Sequence, residues 1–214
     1  GLYGSLLQSG IIKYVEMEEI FVEQLLVGYA NESAINEGYS AASGSVTLII
    51  DGARKILVDC GDPWNGEALL SALRDNALST SEITDLIITH GHIDHCGNMC
   101  LFTTANIYMD RDLARSHSEY TTFEDGFKVT QNVQILRTPG HTDNDLSVIV
   151  SNTKRGCVAI TGDIFEDENP DRWEPNSRYV SEQERSRNRI LAIADWIIPG
   201  HGAIFRNKFK KALT

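Results

Sequence analysis

The 214 residues, 42% hydrophobic and 23% charged with 17 Gly and 5 Pro, suffice for one large domain or two small ones, and exclude a collagenous, low-complexity or disordered chain. A formal net charge of -11 opposes diffuse attraction to nucleic acid or to an anionic membrane, although bound divalent cations would reverse the sign locally. No apolar run approaches the roughly 20 residues that cross a bilayer, so no membrane partner is expected. Cys60, Cys96, Cys100 and Cys157 lack C-x-x-C spacing and read as free thiols of a reducing compartment.

Residues 1–19 lack the basic and continuous apolar regions of a secretory signal. They are read as an N-terminal segment, partly of artificial origin, ahead of a domain over residues 20–214. Strands are predicted over Ile20–Tyr29, Gly44–Ile50 and Lys55–Asp59. Asn65 is placed to cap a helix that carries Leu69, Leu70 and Leu73 and runs to about Ala77, and the strand Leu86–Thr89 then delivers His90. A short helical stretch over Asn98–Phe102, a strand over Asn106–Met109 and a helix over Arg111–His117 follow. Further strands are predicted at Val133–Thr138, Leu146–Ser151 and Cys157–Thr161. The acidic, Pro- and Asn-containing stretch Glu166–Ser177 reads as a long surface loop. The pattern Ser181-x-x-Glu184 predicts a capped helix to about Ala194, followed by the strand Asp195–Ile198.

The chemistry concentrates in T-H-G-H-I-D-H, Thr89 to His95. In an extended segment His90 and His92 point the same way and can bind one cation, while Asp94 and His95 in the following turn can reach a second. His141 in T-P-G-H-T, Asp163 in T-G-D and His201 in P-G-H-G each follow a predicted strand, where a sheet fold gathers side chains at one edge.

V-D-C-G at Val58–Gly61, H-G-H-I-D-H at His90–His95, G-H-T at Gly140–Thr142, T-G-D at Thr161–Asp163 and G-H-G at Gly200–Gly202 resemble, in order, the motifs of the metallo-β-lactamase superfamily. The resemblance implies an α/β fold, an αββα sandwich of two mixed sheets with helices outside. It further implies two Zn2+ per chain, with iron or manganese as alternatives. His90, His92 and His141 would hold one ion, Asp94, His95 and His201 the other, and Asp163 would bridge them. Asp94 and Asp163 would be catalytic, and Asp59 would fix the ligand loop from behind. A bridging Asp resembles the thioesterase and phosphodiesterase branches rather than antibiotic hydrolases.

A narrower likeness within the superfamily rests on G-S-V-T-L at Gly44–Leu48, P-W-N-G-E-A-L-L at Pro63–Leu70, G-D-I-F-E at Gly162–Glu166 and Q-E-R-S-R-N-R-I-L at Gln183–Leu191. It implies a cytoplasmic and nuclear endoribonuclease acting on histone pre-messenger RNA. The alternatives are a glyoxalase II-like thioesterase acting on a small acyl-thiol, and a mononuclear iron dioxygenase or non-catalytic metal-handling protein. A homodimer is compatible with each reading. Arg172, Trp173 and Tyr179, after Asp163, are placed to overhang the ions and meet substrate, with local packing as the other reading. Arg185, Arg187 and Arg189 are expected on a solvated helix face, His117 as a solvated helix residue, and Cys96 and Cys100 as buried thiols.

Overall fold

The structure, a computed structural model, describes residues 18–210, so the expectations for residues 1–17 lie outside the described residues. In chain order the strands and helices are β1 (Phe21–Leu26), β2 (Tyr29–Glu32), β3 (Ser40–Ser43), β4 (Val46–Asp51), β5 (Arg54–Val58), α1 (Gly66–Asp75), β6 (Asp85–Ile87) and α2 (Ile93–Cys96). They continue as β7 (Asn106–Met109), β8 (Asp112–Arg115), β9 (Glu119–Thr122), β10 (Phe127–Lys128), β11 (Val133–Arg137), β12 (Leu146–Thr153), β13 (Gly156–Ile160), α3 (Val180–Ile193), β14 (Trp196–Ile198) and β15 (Phe205–Arg206). One sheet has the order β1-β4-β5-β6-β7-β8-β9 and the other β10-β11-β12-β13-β14-β15, while β2 and β3 form a separate hairpin.

Side-chain parity explains the layering. Ile49, Ile56, Val58 and Ile87 of the first sheet meet Val148, Val150, Val158, Ile160 and Ile198 of the second in one core. Their sequence neighbours point the other way: Leu48, Leu57 and Leu86 pack with Leu69 and Leu73 of α1, and Ile149, Ala159 and Ile197 with Ile190 of α3. Both faces of these strands are therefore buried, which is why they are apolar at consecutive positions rather than alternately. The result is the αββα sandwich. Among the described residues no helix is long and apolar enough to cross a membrane.

The topology also gathers the chemistry. β5 and β6 run parallel, as do β13 and β14, and β11 shares their direction through two antiparallel steps across β12. Residues just beyond the carboxyl ends of these five strands include Asp59, His90, His141, Asp163 and His201, the edge at which open α/β sheets place their sites.

Several expectations are corrected. Ile20–Tyr29 is not one strand: after a bulge near Gln24, β1 leaves β4 and the chain pairs again as β2 with β3. Arg111–His117 is not a helix, because Asp110, at φ 56, turns β7 back into β8 and buries Leu113 opposite Tyr108. His117 lies in the following turn at φ 65. Ser181 does not cap α3, which begins at Val180 from Tyr179 without a side-chain cap bond. Asn65 does stand at the N-cap of α1, also without such a bond. Cys100 is exposed and Cys96 half-buried, so neither is a core thiol.

Candidate metal centre

His90 follows β6 after a bend at Thr89, His92 precedes α2 in extended conformation, and α2 carries Asp94 and His95 on its single turn. His92 Nδ1 lies 3.0 Å from His90 Nε2 and 3.1 Å from His141 Nε2. Asp163 Oδ2 is 3.5 Å from His90 Nε2 and 3.2 Å from His141 Nε2. With metal–nitrogen bonds of about 2.0–2.1 Å, such separations are the edges of a coordination polyhedron.

A second set adjoins it. His95 Nε2 and His201 Nε2 each stand 3.6 Å from Asp94 Oδ2. His95 Nε2 is 3.1 Å from Asp163 Oδ1, and His201 Nε2 is 3.2 Å from Asp163 Oδ2. Asp163 thus lies between the sets, its Oδ2 facing His141 and His201 alike and its Oδ1 facing His95. The outer ring nitrogens are tethered: His95 Nδ1 to Asp59 Oδ2 at 2.7 Å, and His201 Nδ1 to the carbonyls of Tyr29 and Ser43 at 3.0 and 3.2 Å. These bonds place the protons on Nδ1 and turn the Nε2 lone pairs inward.

Unsatisfied atoms test whether cations suit this arrangement. Of the atoms that face the centre, His95 Nε2 and Asp163 Oδ1 are buried without a hydrogen-bond partner, although at 3.1 Å they are close enough to bond. They are aimed past each other. A His/Asp donor set with inward lone pairs and orphaned atoms fits metal ions.

The electrostatics agree. Burial opposes charge on His95, but Asp163 and Asp59 outweigh it and hold the imidazole well above its ordinary pKa. His201, likewise buried, is raised to about 9 by Asp163. His92 is lowered by burial and by the neighbouring His90 and His141. Against its burial, Asp163 is held well below the carboxylate range by His95 and His90. Without a metal, protons on the imidazoles balance the Asp163 carboxylate; cations and protons compete for the same lone pairs.

Residues 40–110 match the Metallo-beta-lactamase superfamily. Metallo-beta-lactamase domain-containing protein 1 of Xenopus laevis is 40% identical over 191 residues, covering 86% of this chain and 81% of that protein. The chain belongs to the metallo-beta-lactamase superfamily. The Homo sapiens protein of the same name is 35% identical over 214 residues, covering 85% and 80%. A Thermotoga maritima protein of metallo-beta-lactamase type superposes with a TM-score of 0.69 at 18% identity over 88% of this chain and 99% of its own. An N-acyl homoserine lactone hydrolase, with N-hexanoyl-L-homoserine bound at its catalytic metal centre, gives 0.62 at 19% identity over 81% and 87%. At these identities the superpositions establish the fold, whose His/Asp cluster here is suited to metal ions.

Other residues hold this superfamily site in place. Asp59, at φ 60, accepts 2.7 Å bonds from Thr89 N, Thr89 Oγ1 and His95 Nδ1. A side chain at Gly200 would collide with the Asp163 carboxylate, which explains the glycine before His201. Three supports are absent from the sequence reasoning. Asp145 accepts from Gly140 N and Thr142 N around His141. Gln183 Nε2 donates to Asp163 O at 3.0 Å, and Arg187 Nη1 to Ile164 O at 2.8 Å. The expectation of a solvated face fails for Arg187: its guanidinium is buried between the Phe165 and Trp173 rings, 4.1 and 4.8 Å from their centroids. Trp173 is thereby packed inward rather than over the ions. Arg172 is exposed, and Tyr179 donates to Asp143 Oδ1 at 2.7 Å beside the Arg178–Asp143 ion pair. A cleft of about 260 Å³ opens between His92, Met109, Asp143 and Arg178.

Proposed function

We propose that the chain is a dinuclear metal-dependent hydrolase that cleaves phosphodiester bonds as an endoribonuclease, with histone pre-messenger RNA, in cytoplasm or nucleus, as the substrate implied by its sequence resemblance. The observation that carries the dinuclear reading is Asp163, whose carboxylate lies between two adjacent ligand sets: Oδ2 is 3.2 Å from both His141 Nε2 and His201 Nε2, and Oδ1 is 3.1 Å from His95 Nε2. A pair of divalent cations held there supplies Lewis acidity and lowers the pKa of water toward neutrality.

The chain's own groups supply placement. Asp94 is the ligand carboxylate nearer solvent, 21% exposed against 4% for Asp163, and so would orient the attacking water. His90 and His92 line the cleft. Arg178, on the rim, is the cationic side chain within reach of a backbone phosphate. The convergence of Asp94, His95 and His201 supports a second ion and argues against a single-iron dioxygenase. A second reading, hydrolysis of a small thioester, draws support from Asp110 and Asp143 in the cleft wall, which repel a polyanion.

End-labelled single-stranded RNA and a panel of acyl-thioesters, offered to the wild type and to Asp163→Asn with and without chelator, test the proposal. RNA cleavage lost in the variant and on chelation is expected. Thioester turnover with intact RNA would replace the first reading by the second, and RNA cleavage that survives Asp163→Asn would overturn the site assignment.

A further inference from the structure

One carboxylate beside the centre has no part in the ligand set read from the sequence. Glu166 follows Asp163 by three residues, and its backbone is tied to the His201 loop. His201 N donates to Glu166 O at 2.7 Å, and Gly200 N to Phe165 O at 2.9 Å. Glu166 Oε1 accepts from Asn176 Nδ2 at 3.1 Å. Its Oε2 is turned to the centre, 3.9 Å from His201 Nε2, where Asp94 Oδ2 is 3.6 Å away. The Glu166 side chain is 13% exposed, less than the 21% of Asp94. Ligand atoms of Asp163, Glu166 and His201 lie within 4.8 Å of one another. A carboxylate removed this far from water is costly unless paired or metal-bound, and its ion-pair contact among the described residues is His201 Nε2, itself a ligand atom of the centre.

We propose that Glu166 is a further ligand of the ion position formed by Asp94, His95 and His201, and that the two positions consequently differ in metal preference. The first position offers three imidazoles and one oxygen of Asp163. The second is built on His201, which belongs to one cluster with Asp94 and His95 and to another with Asp163 and Glu166, so that carboxylates outnumber imidazoles around it. A nitrogen-rich, low-coordinate set suits Zn2+; a carboxylate-rich set suits Mn2+ or Fe2+. The inference rests on the dinuclear reading above.

The test is to load the protein with one equivalent of Zn2+ and titrate Mn2+, following bound Mn2+ by electron paramagnetic resonance and calorimetry, in the wild type and Glu166→Gln. The wild type is expected to take one Mn2+ beside the zinc. Glu166→Gln is expected to weaken Mn2+ binding about tenfold or more while leaving Zn2+ affinity unchanged. Mn2+ affinity equal to wild type would overturn the assignment of Glu166. A wild type that binds only one ion in total would instead overturn the dinuclear reading. Should Glu166→Gln not fold, Glu166→Asp, which withdraws the carboxylate by one methylene, is expected to weaken Mn2+ binding in the same direction, and an unchanged affinity there refutes the assignment equally.

Discussion

Asp59→Asn isolates the support of the centre from its ligands. The carboxylate is 2% exposed and receives three bonds of 2.7 Å, from Thr89 N, Thr89 Oγ1 and His95 Nδ1. An amide keeps one acceptor oxygen, which can still serve Thr89 N. Its NH2 group faces the other two donors and can accept from neither. Two bonds to a charged acceptor become, at best, neutral bonds of reversed direction; with charge-assisted bonds worth about 1.5–3 kcal/mol and neutral ones about 0.5–1.5 kcal/mol, stability falls by roughly 2–3 kcal/mol. The amide also favours the other His95 tautomer, because an Asn N–H seeks a lone pair on Nδ1 and drives the ring proton to Nε2. That nitrogen then has no lone pair for a cation, and affinity at the position of His95 falls about 10- to 100-fold. Urea unfolding of the metal-free protein reads the first effect, and competition for Zn2+ against a chromophoric chelator the second. Wild-type metal affinity in a variant destabilised as calculated would refute the argument that Asp59 acts on the metal through His95.

Other perturbations reach different parts of the structure. Arg187→Met keeps the bulk but removes the bond to Ile164 O and both ring contacts, so urea unfolding should show a loss of about 2–4 kcal/mol; a loss under about 1 kcal/mol would contradict the packing role. Although burial opposes it, Arg189 and Arg137 lower the Asp125 pKa. Stability from this group is therefore present above the ordinary carboxylate range and disappears as pH falls through the depressed folded value. Melting curves should show wild type ahead of Asp125→Asn by up to about 1 kcal/mol at neutral pH, with the gap closing on acidification; a gap that widens in acid would reverse the assignment. Burial raises the Cys60, Cys96 and Cys157 thiols, whereas Cys100 is exposed. Mass spectrometry after brief alkylation should find Cys100 modified first and Cys60 only after unfolding.

The parts of the centre legible in the sequence are those written in local spacing. His90, His92, Asp94 and His95 fall within six consecutive positions, where an extended step and one helical turn suffice to aim them. His141, Asp163 and His201 were recognisable as residues that follow strands, and parallel strand direction brings them together. Glu166 and Arg187 meet their partners only in the folded chain, so no local pattern marks them, whereas Asp145 closes a turn on Gly140 N and Thr142 N within five residues of itself. Helix α3 shows why the pattern misled: Gln183, Ser186, Arg187 and Ile190 are its buried residues, at helical spacing. Three of the four are polar, so a search for an apolar stripe assigns that face to solvent. Their polar atoms are instead consumed by the carbonyls of Pro139, Asp163 and Ile164. The Arg111–His117 error has the opposite origin, since a four-residue strand behind a tight turn is too short to reveal its period.

Metal content per folded chain, measured by elemental mass spectrometry after reconstitution and gel filtration, bears most directly on the dinuclear centre. The wild type should carry two divalent ions and Asp163→Asn fewer. One ion in the wild type, or two retained after Asp163→Asn, would contradict a carboxylate shared between neighbouring cations.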